Sequence, residues 1–203
     1  MARKQLIRTH QFPYHITSRS NNKEWFYIPT DCVWKYAKIL LRQGSVNFNT
    51  KIHAFVLMSN HYHLIIRTPD SNIDAFMQYF NKQLGQSISR SAGRINRIFG
   101  APYKWSLIQD QNYYLNVYRY IYQNPLRASL AKKVEDYPYS TLSNGKLDQI
   151  VCERLIEMDG AGEVLWLNQE VLPKEISSIK RGLKKDIFLP GRDLTQWKRP
   201  NVF

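Results

Sequence analysis

Two runs of strand-forming residues, Lys51–Met58 and His61–Thr68, are separated by nothing more than Ser59-Asn60. Two polar residues between apolar runs must reverse the chain tightly, so this stretch predicts an antiparallel hairpin. A hairpin this apolar cannot stand alone in water and needs further strands and helices to cover it. Tyr14–Ser20 alternates and supplies one more strand, and Tyr103–Gln109 supplies another. Pro29-Thr30-Asp31 reads as a helix start, with Thr30 or Asp31 as cap. Val33, Tyr36, Ala37, Ile39 and Leu40 form the apolar face of that helix through Arg42, and Gly44 ends it. Asp70 or Ser71 caps a second helix carrying Ile73, Phe76, Met77, Phe80 and Leu84, and Ser87–Asn96 forms its end and a loop. A third helix runs from about Asn112 to Asn124, is limited by Pro125, and kinks there on its way to Leu130. The order β-α-β-β-α-β-α predicts an α+β fold, an antiparallel sheet with helices packed on it. Residues 1–146 form this unit. Residues 147–203 read as a helical appendage, with a helix-like stretch at Gln149–Met158 and an irregular tail at Phe188–Phe203.

Charge narrows the partner. The net charge is +13 and the pI about 9.8. Residues 1–100 carry 14 Lys/Arg against 4 Asp/Glu, whereas residues 101–203 carry 15 against 12. A basic N-terminal half suits a polyanion, because each neutralised phosphate releases counterions. The same charge also suits a solvated surface. The apolar runs are too short to span a membrane, and the basic N-terminus lacks the apolar stretch of a signal peptide. Cys32 and Cys152 form no paired motif. A reducing cytoplasm is the expected setting.

Two segments carry possible chemistry. His61 and His63 flank Tyr62 on a strand, and side chains at i and i+2 leave a strand on the same face. Two imidazoles on one rigid face suit a metal, although an isolated His-x-His pair is also compatible with two half-buried surface histidines. Structural zinc normally takes four protein ligands. A hard ion such as Mg²⁺ or Mn²⁺ can complete its shell with water and phosphate oxygens instead. The second segment, Tyr113–Pro125, reads YYLNVYRYIYQNP. Tyr120 and Asn124 are four apart and share a helical face. A phenol there can attack phosphorus while an amide oxygen ligates the same metal. Tyr114, Tyr118 and Tyr122 recur every four residues as a packing stripe, and spacing alone leaves Tyr113 open to either face. No GxxxxGK[ST] loop is present, which fits a reaction without ATP.

Together, MSNHYHLII (Met58–Ile66), YIYQNPLRASL (Tyr120–Leu130) and YHITSRSNNKEWF (Tyr14–Phe26) resemble the single-tyrosine HUH transposases. These are the short insertion-sequence transposases, and the YI-x-x-NP-x-RA-x-L pattern resembles their REP-associated tyrosine branch in particular. The resemblance spans roughly residues 10–145. It implies a ferredoxin-like or RRM-like antiparallel sheet and a metal-dependent tyrosine transposase acting as a single-strand DNA endonuclease. Cleavage of single strand beside a DNA hairpin would pass through a 5′-phosphotyrosine. The resemblance makes His61 and His63 ligands of Mg²⁺ or Mn²⁺, Tyr120 the nucleophile, and Asn124 a third ligand, with the adjacent Gln123 as the other amide. Arg3, Lys4, Arg8 and Arg19 would bind the guide segment or hairpin. Arg90, Arg94 and Arg97 would track phosphates, and Arg127 would lie near the scissile one. Tyr14, Trp25 and Trp105 are candidates for base stacking or core packing. The family's branches imply a monomer or a homodimer. The basic cluster Lys180, Arg181, Lys184 and Lys185 suits either a DNA clamp or a solvated face. A non-catalytic nucleic-acid-binding module on an RRM-like sheet is the alternative. The short chain argues against an HUH replication or conjugation nickase.

Overall fold

The computed structural model describes residues 5–143 and 160–189. Arg3, Lys4, Cys152, the stretch 149–158 and most of the tail lie outside the described residues. The elements are β1 (Tyr14–Arg19), α1 (Thr30–Asn47), β2 (Lys51–Leu57), β3 (His61–Arg67), α2 (Ile73–Ser91), β4 (Lys104–Leu107), α3 (Gln111–Tyr122), α4 (Asn124–Arg127), α5 (Gly160–Asn168) and α6 (Pro173–Gly182). The sheet runs β2-β3-β1-β4 with every pair antiparallel. This is the antiparallel α+β sheet expected from the order of elements, in the ferredoxin-like arrangement that the resemblance implies.

Alternation along the strands divides the core in two. Tyr14 and Ile16 of β1, with Tyr62, Leu64 and Ile66 of β3, turn to one face and meet α1 and α2. Ile65 of β3 turns to the other face and meets α3. A bulge at His53 lets Ile52, Phe55 and Leu57 all reach the first core, while Ala54 and Val56 reach the second. Fully buried aromatics such as Phe55, Tyr62, Phe76 and Phe80 anchor the first core, each contributing about 1.5–3 kcal/mol by leaving water. α5 and α6 add Trp166, Leu167 and Ile179 to the second core, and Phe188 follows them there. A short parallel bridge between Leu107 and Ile187 ties the end of this segment to the β4 edge. Among the described residues no helix is long and apolar enough to cross a membrane.

Three expectations are corrected, the first being the cap of α1: the helix starts at Thr30 with Pro29 in the N-cap position, so neither Thr30 nor Asp31 caps it. Gly44 does not end α1, which continues to Asn47. Its role is close approach: a Cβ there would sit 2.7 Å from Cε2 of Phe76. Likewise, neither Asp70 nor Ser71 caps α2. Ser71 sits in a turn with φ of 55°, and the N-cap position falls to Asn72. The last two errors come from reading a local signal where tertiary packing decides.

Gly44→Ala separates these readings. Alanine is the better helix former by about 1 kcal/mol. Phe76 is fully buried, between Phe48 and a stacked Phe80, and cannot yield. Overpacking should prevail, with a net loss of about 1–3 kcal/mol in denaturant unfolding. A gain in stability would contradict the packing role.

Candidate active site

The sheet face under α3 carries the polar residues that the alternation spares from the first core. On β3 these are His61 and His63, and on β1 they are His15, Thr17 and Arg19, with Thr17 opposite His63. His15 is therefore the diagonal neighbour of His63, within side-chain reach. The His15 Nε2 and His63 Nδ1 atoms are hydrogen-bonded at 2.9 Å with the rings stacked. The His61 and His63 rings meet edge to face, 5.1 Å between centroids. His61 Nδ1 lies 2.7 Å from Asn60 Oδ1, and the same amide donates Nδ2–H to the Lys23 carbonyl. An amide oxygen only accepts, so His61 carries its proton on Nδ1 and offers the Nε2 lone pair.

α3 begins at Asp110, whose carboxylate accepts from the backbone N–H of Asn112 and Tyr113. It stops at Gln123 because Pro125 cannot continue the ladder, and α4 restarts with proline in its first turn. Tyr114, Tyr118 and Tyr122 form the expected stripe, ring against ring. Tyr118 donates to Glu163 at 2.6 Å, and Tyr122 meets Thr141. Tyr113 packs on Phe188. Tyr120 stands apart from the stripe. Its ring lies edge-on to His63, 6.0 Å between centroids. The Arg127 guanidinium covers the Tyr120 ring face at 4.5 Å and donates to the Tyr120 carbonyl at 2.5 Å.

Electrostatics follow from burial. His15 is pushed down to about 3. His61 falls to about 4, by burial and then by the charge of Arg19. His63 falls well below its usual range, by burial and then by His15, His61, Arg127 and Arg19. All three are neutral near pH 7, the form in which imidazole ligates metal. Burial raises the Tyr120 phenol, and Arg127 and Arg19 pull it back.

The two amides of α3 and α4 differ. Gln123 is buried and donates Nε2–H to the carbonyls of Leu167 and Gln169. Asn124 donates Nδ2–H to the carbonyls of Tyr120 and Ile121, so its hydrogen bonds run to its own helix and not to either histidine. Among the described residues no three His, Cys, Asp or Glu side chains converge on one point. Two neutral imidazoles, each with Nδ1 hydrogen-bonded inside the protein, nevertheless fit a divalent ion that completes its shell with water and substrate oxygens.

The family model for IS200-like transposases matches residues 8–124, which take in the whole sheet and α3. The chain belongs to the IS200-like transposases. Its fold is similar to a solved REP-associated tyrosine transposase bound to a REP hairpin, with 20% identity and a TM-score of 0.59. That alignment covers 77% of this chain and 100% of the other. A candidate transposase from Deinococcus radiodurans aligns at 15% identity and a TM-score of 0.41, covering 60% of this chain and 94% of the other. No curated protein matches.

In this IS200-like transposase the site opens into a cleft of about 1930 Å³. His15, His63 and Tyr120 line it, along with eight lysines and arginines and a single carboxylate, Asp74. Arg19, Arg90 and Arg97 are among its basic residues. Arg8 also lines it but is paired with Asp74 at 2.9 Å. Arg94 lies over the Tyr27 ring at 3.7 Å. Tyr14 and Trp105 are buried against each other, whereas Trp25 is 77% exposed and available to a base. The sequence reading missed His15. Its parity with Thr17 and Arg19 was visible, but the β1–β3 register that brings it to His63 was not.

A pH dependence follows from the buried histidines. An unfolded chain protonates histidine near pH 6.5, while folded His15 resists protonation down to about 3. Its contribution is therefore intact above pH 6.5 and is lost as pH falls below that value. The loss should reach about 2 kcal/mol at pH 5. Thermal melts in chelator should show the midpoint of the native protein falling between pH 7 and 5, and falling less for His15→Phe. Parallel curves would mean that His15 is not held neutral.

Proposed function

We propose that this transposase cleaves single-stranded DNA beside a hairpin and rejoins it through a 5′-phosphotyrosine on Tyr120. The contact between Tyr120 and His63, 6.0 Å between ring centroids within one chain, carries this reading. The Tyr120 oxygen attacks phosphorus and the bond to the 3′ oxygen breaks. The phenol loses a proton and the departing 3′ oxygen gains one. A phosphodiester is exchanged for a phosphodiester, so the step reverses onto another 3′-hydroxyl without ATP.

His61 and His63, through Nε2, and the Asn124 side-chain oxygen would hold Mg²⁺ or Mn²⁺. When bound, that ion would withdraw charge from the scissile phosphate. Gln123 is the weaker candidate ligand, because its amide is buried on carbonyls at the end of α5 and just beyond it. Arg127, stacked on the Tyr120 ring, is suited to orient the phenol and to meet the developing charge. The basic cleft supports a nucleic-acid substrate. The REP hairpin in the structure of similar fold supports a hairpin flanked by single strand. Arg19, Arg90 and Arg97 would contact its phosphates, and the unmatched N-terminal residues Arg3 and Lys4 would reach the guide segment. With His61, His63 and Tyr120 on one chain, a monomer suffices for cleavage. The cytoplasm is the proposed setting.

Labelled hairpin oligonucleotides with single-stranded flanks, incubated with Mn²⁺ and run on a denaturing gel, test the reading. The native protein should give a slowly migrating covalent adduct. Tyr120→Phe and excess chelator should each remove it, with hairpin binding by Tyr120→Phe retained. An adduct that persists in Tyr120→Phe would refute the assignment. Binding without any adduct across palindromes of the source genome would favour a non-catalytic module.

A further inference from the structure

The reading above leaves the segment after α4 without a role, although it packs on the very helix that carries Tyr120. Tyr118 of α3 donates to Glu163 of α5, and Gln123 and Arg119 donate to carbonyls at the end of α5 and just beyond it. Ile179 and Ser178 of α6 are buried. Gly182 lies so close to Phe188 that a Cβ would sit 2.7 Å from the ring. Phe188 in turn donates its backbone N–H to Leu107 of β4. α6 is thus fixed at both ends to the elements that frame the site.

Lys180, in the last turn of this fixed helix, and Lys184, in the turn just after it, line the same cleft as His15, His63 and Tyr120. Both are exposed, and neither is paired with a carboxylate among the described residues. Arg181 and Lys185 belong to the same basic cluster in sequence but do not line the cleft. The family match stops at residue 124, so α6 lies outside it.

We infer that α6 is the far wall of the DNA cleft, with Lys180 and Lys184 binding phosphates of the single strand that passes over Tyr120. The inference rests on the cleft being a single-stranded DNA site. Phosphate contacts of this kind set register on the strand and carry no sequence preference. The C-terminal segment therefore does two things: it braces α3 and closes the groove around the scissile strand.

Fluorescence anisotropy with labelled oligo-dT, in chelator so that no cleavage intervenes, tests this on the full chain. Lys180→Ala/Lys184→Ala should weaken binding about tenfold or more and lower the salt slope by about 1 per lysine. Lys180→Arg/Lys184→Arg should restore both. Arg181→Ala/Lys185→Ala removes the same charge from the same short segment and should change affinity and slope far less. Equal losses in the two alanine pairs would reduce the effect to bulk charge and overturn the inference, as would an unchanged slope in the first pair. The adduct gel on the native protein reads the parent proposal separately. An adduct without a lysine effect rejects only the α6 wall, and a lysine effect without an adduct rejects only the chemistry.

Discussion

Which face of the sheet α3 covers determines everything at this site. Strand alternation puts Tyr62, Leu64 and Ile66 into the core under α1 and α2 and leaves His61 and His63 on the opposite face. Had α3 packed with its helices on the first face, the phenol and the imidazoles would be separated by a sheet. The contact between Tyr120 and His63 exists because Val117 and Ile121 of α3 bury against Ala54, Val56 and Ile65 of the sheet. Packing of ordinary aliphatic side chains thus brings together the groups proposed to carry the chemistry.

Burial then sets the charge state. The three histidines are held neutral, and the phenol keeps its proton, because the low dielectric disfavours their charged forms. Neutral imidazoles are ready ligands, while a protonated phenol is a poor nucleophile. Cationic groups must supply the difference. Arg127 and Arg19 already act in that direction on Tyr120, and the basic lining of the cleft suits the proposed polyanion. The hydrogen bond between His15 and His63 and the one that His61 donates to Asn60 fix both rings before any ligand arrives.

Much of this was legible in the sequence. The hairpin over residues 51–68, the helix boundaries near Asn124-Pro125 and the order of elements all have local causes, and the antiparallel α+β sheet follows from them, while its ferredoxin-like order was implied by the family resemblance. The Tyr114/Tyr118/Tyr122 stripe was visible as helical spacing, whereas spacing left both Tyr113 and Tyr120 off it and only the family resemblance singled out Tyr120. What the sequence hid depends on register and on distant contacts. His15 meets His63 through the β1–β3 pairing, Gly44 is needed for Phe76, and Arg8 finds Asp74 across the cleft. Residues 180–185 read locally as a basic cluster, and only the fold brings Lys180 and Lys184 to the cleft of Tyr120 and leaves Arg181 and Lys185 off its lining.

The central claim is that one phenol among five neighbouring tyrosines is the attacking group. The most direct measurement is to trap the covalent DNA adduct, digest protein and DNA, and sequence the modified peptide by tandem mass spectrometry. Cleavage at Arg119 and Arg127 isolates a peptide holding Tyr120 and Tyr122 alone. The account predicts the nucleotide on Tyr120. A nucleotide on Tyr122, or on Tyr113, Tyr114 or Tyr118 in the preceding peptide, would contradict it.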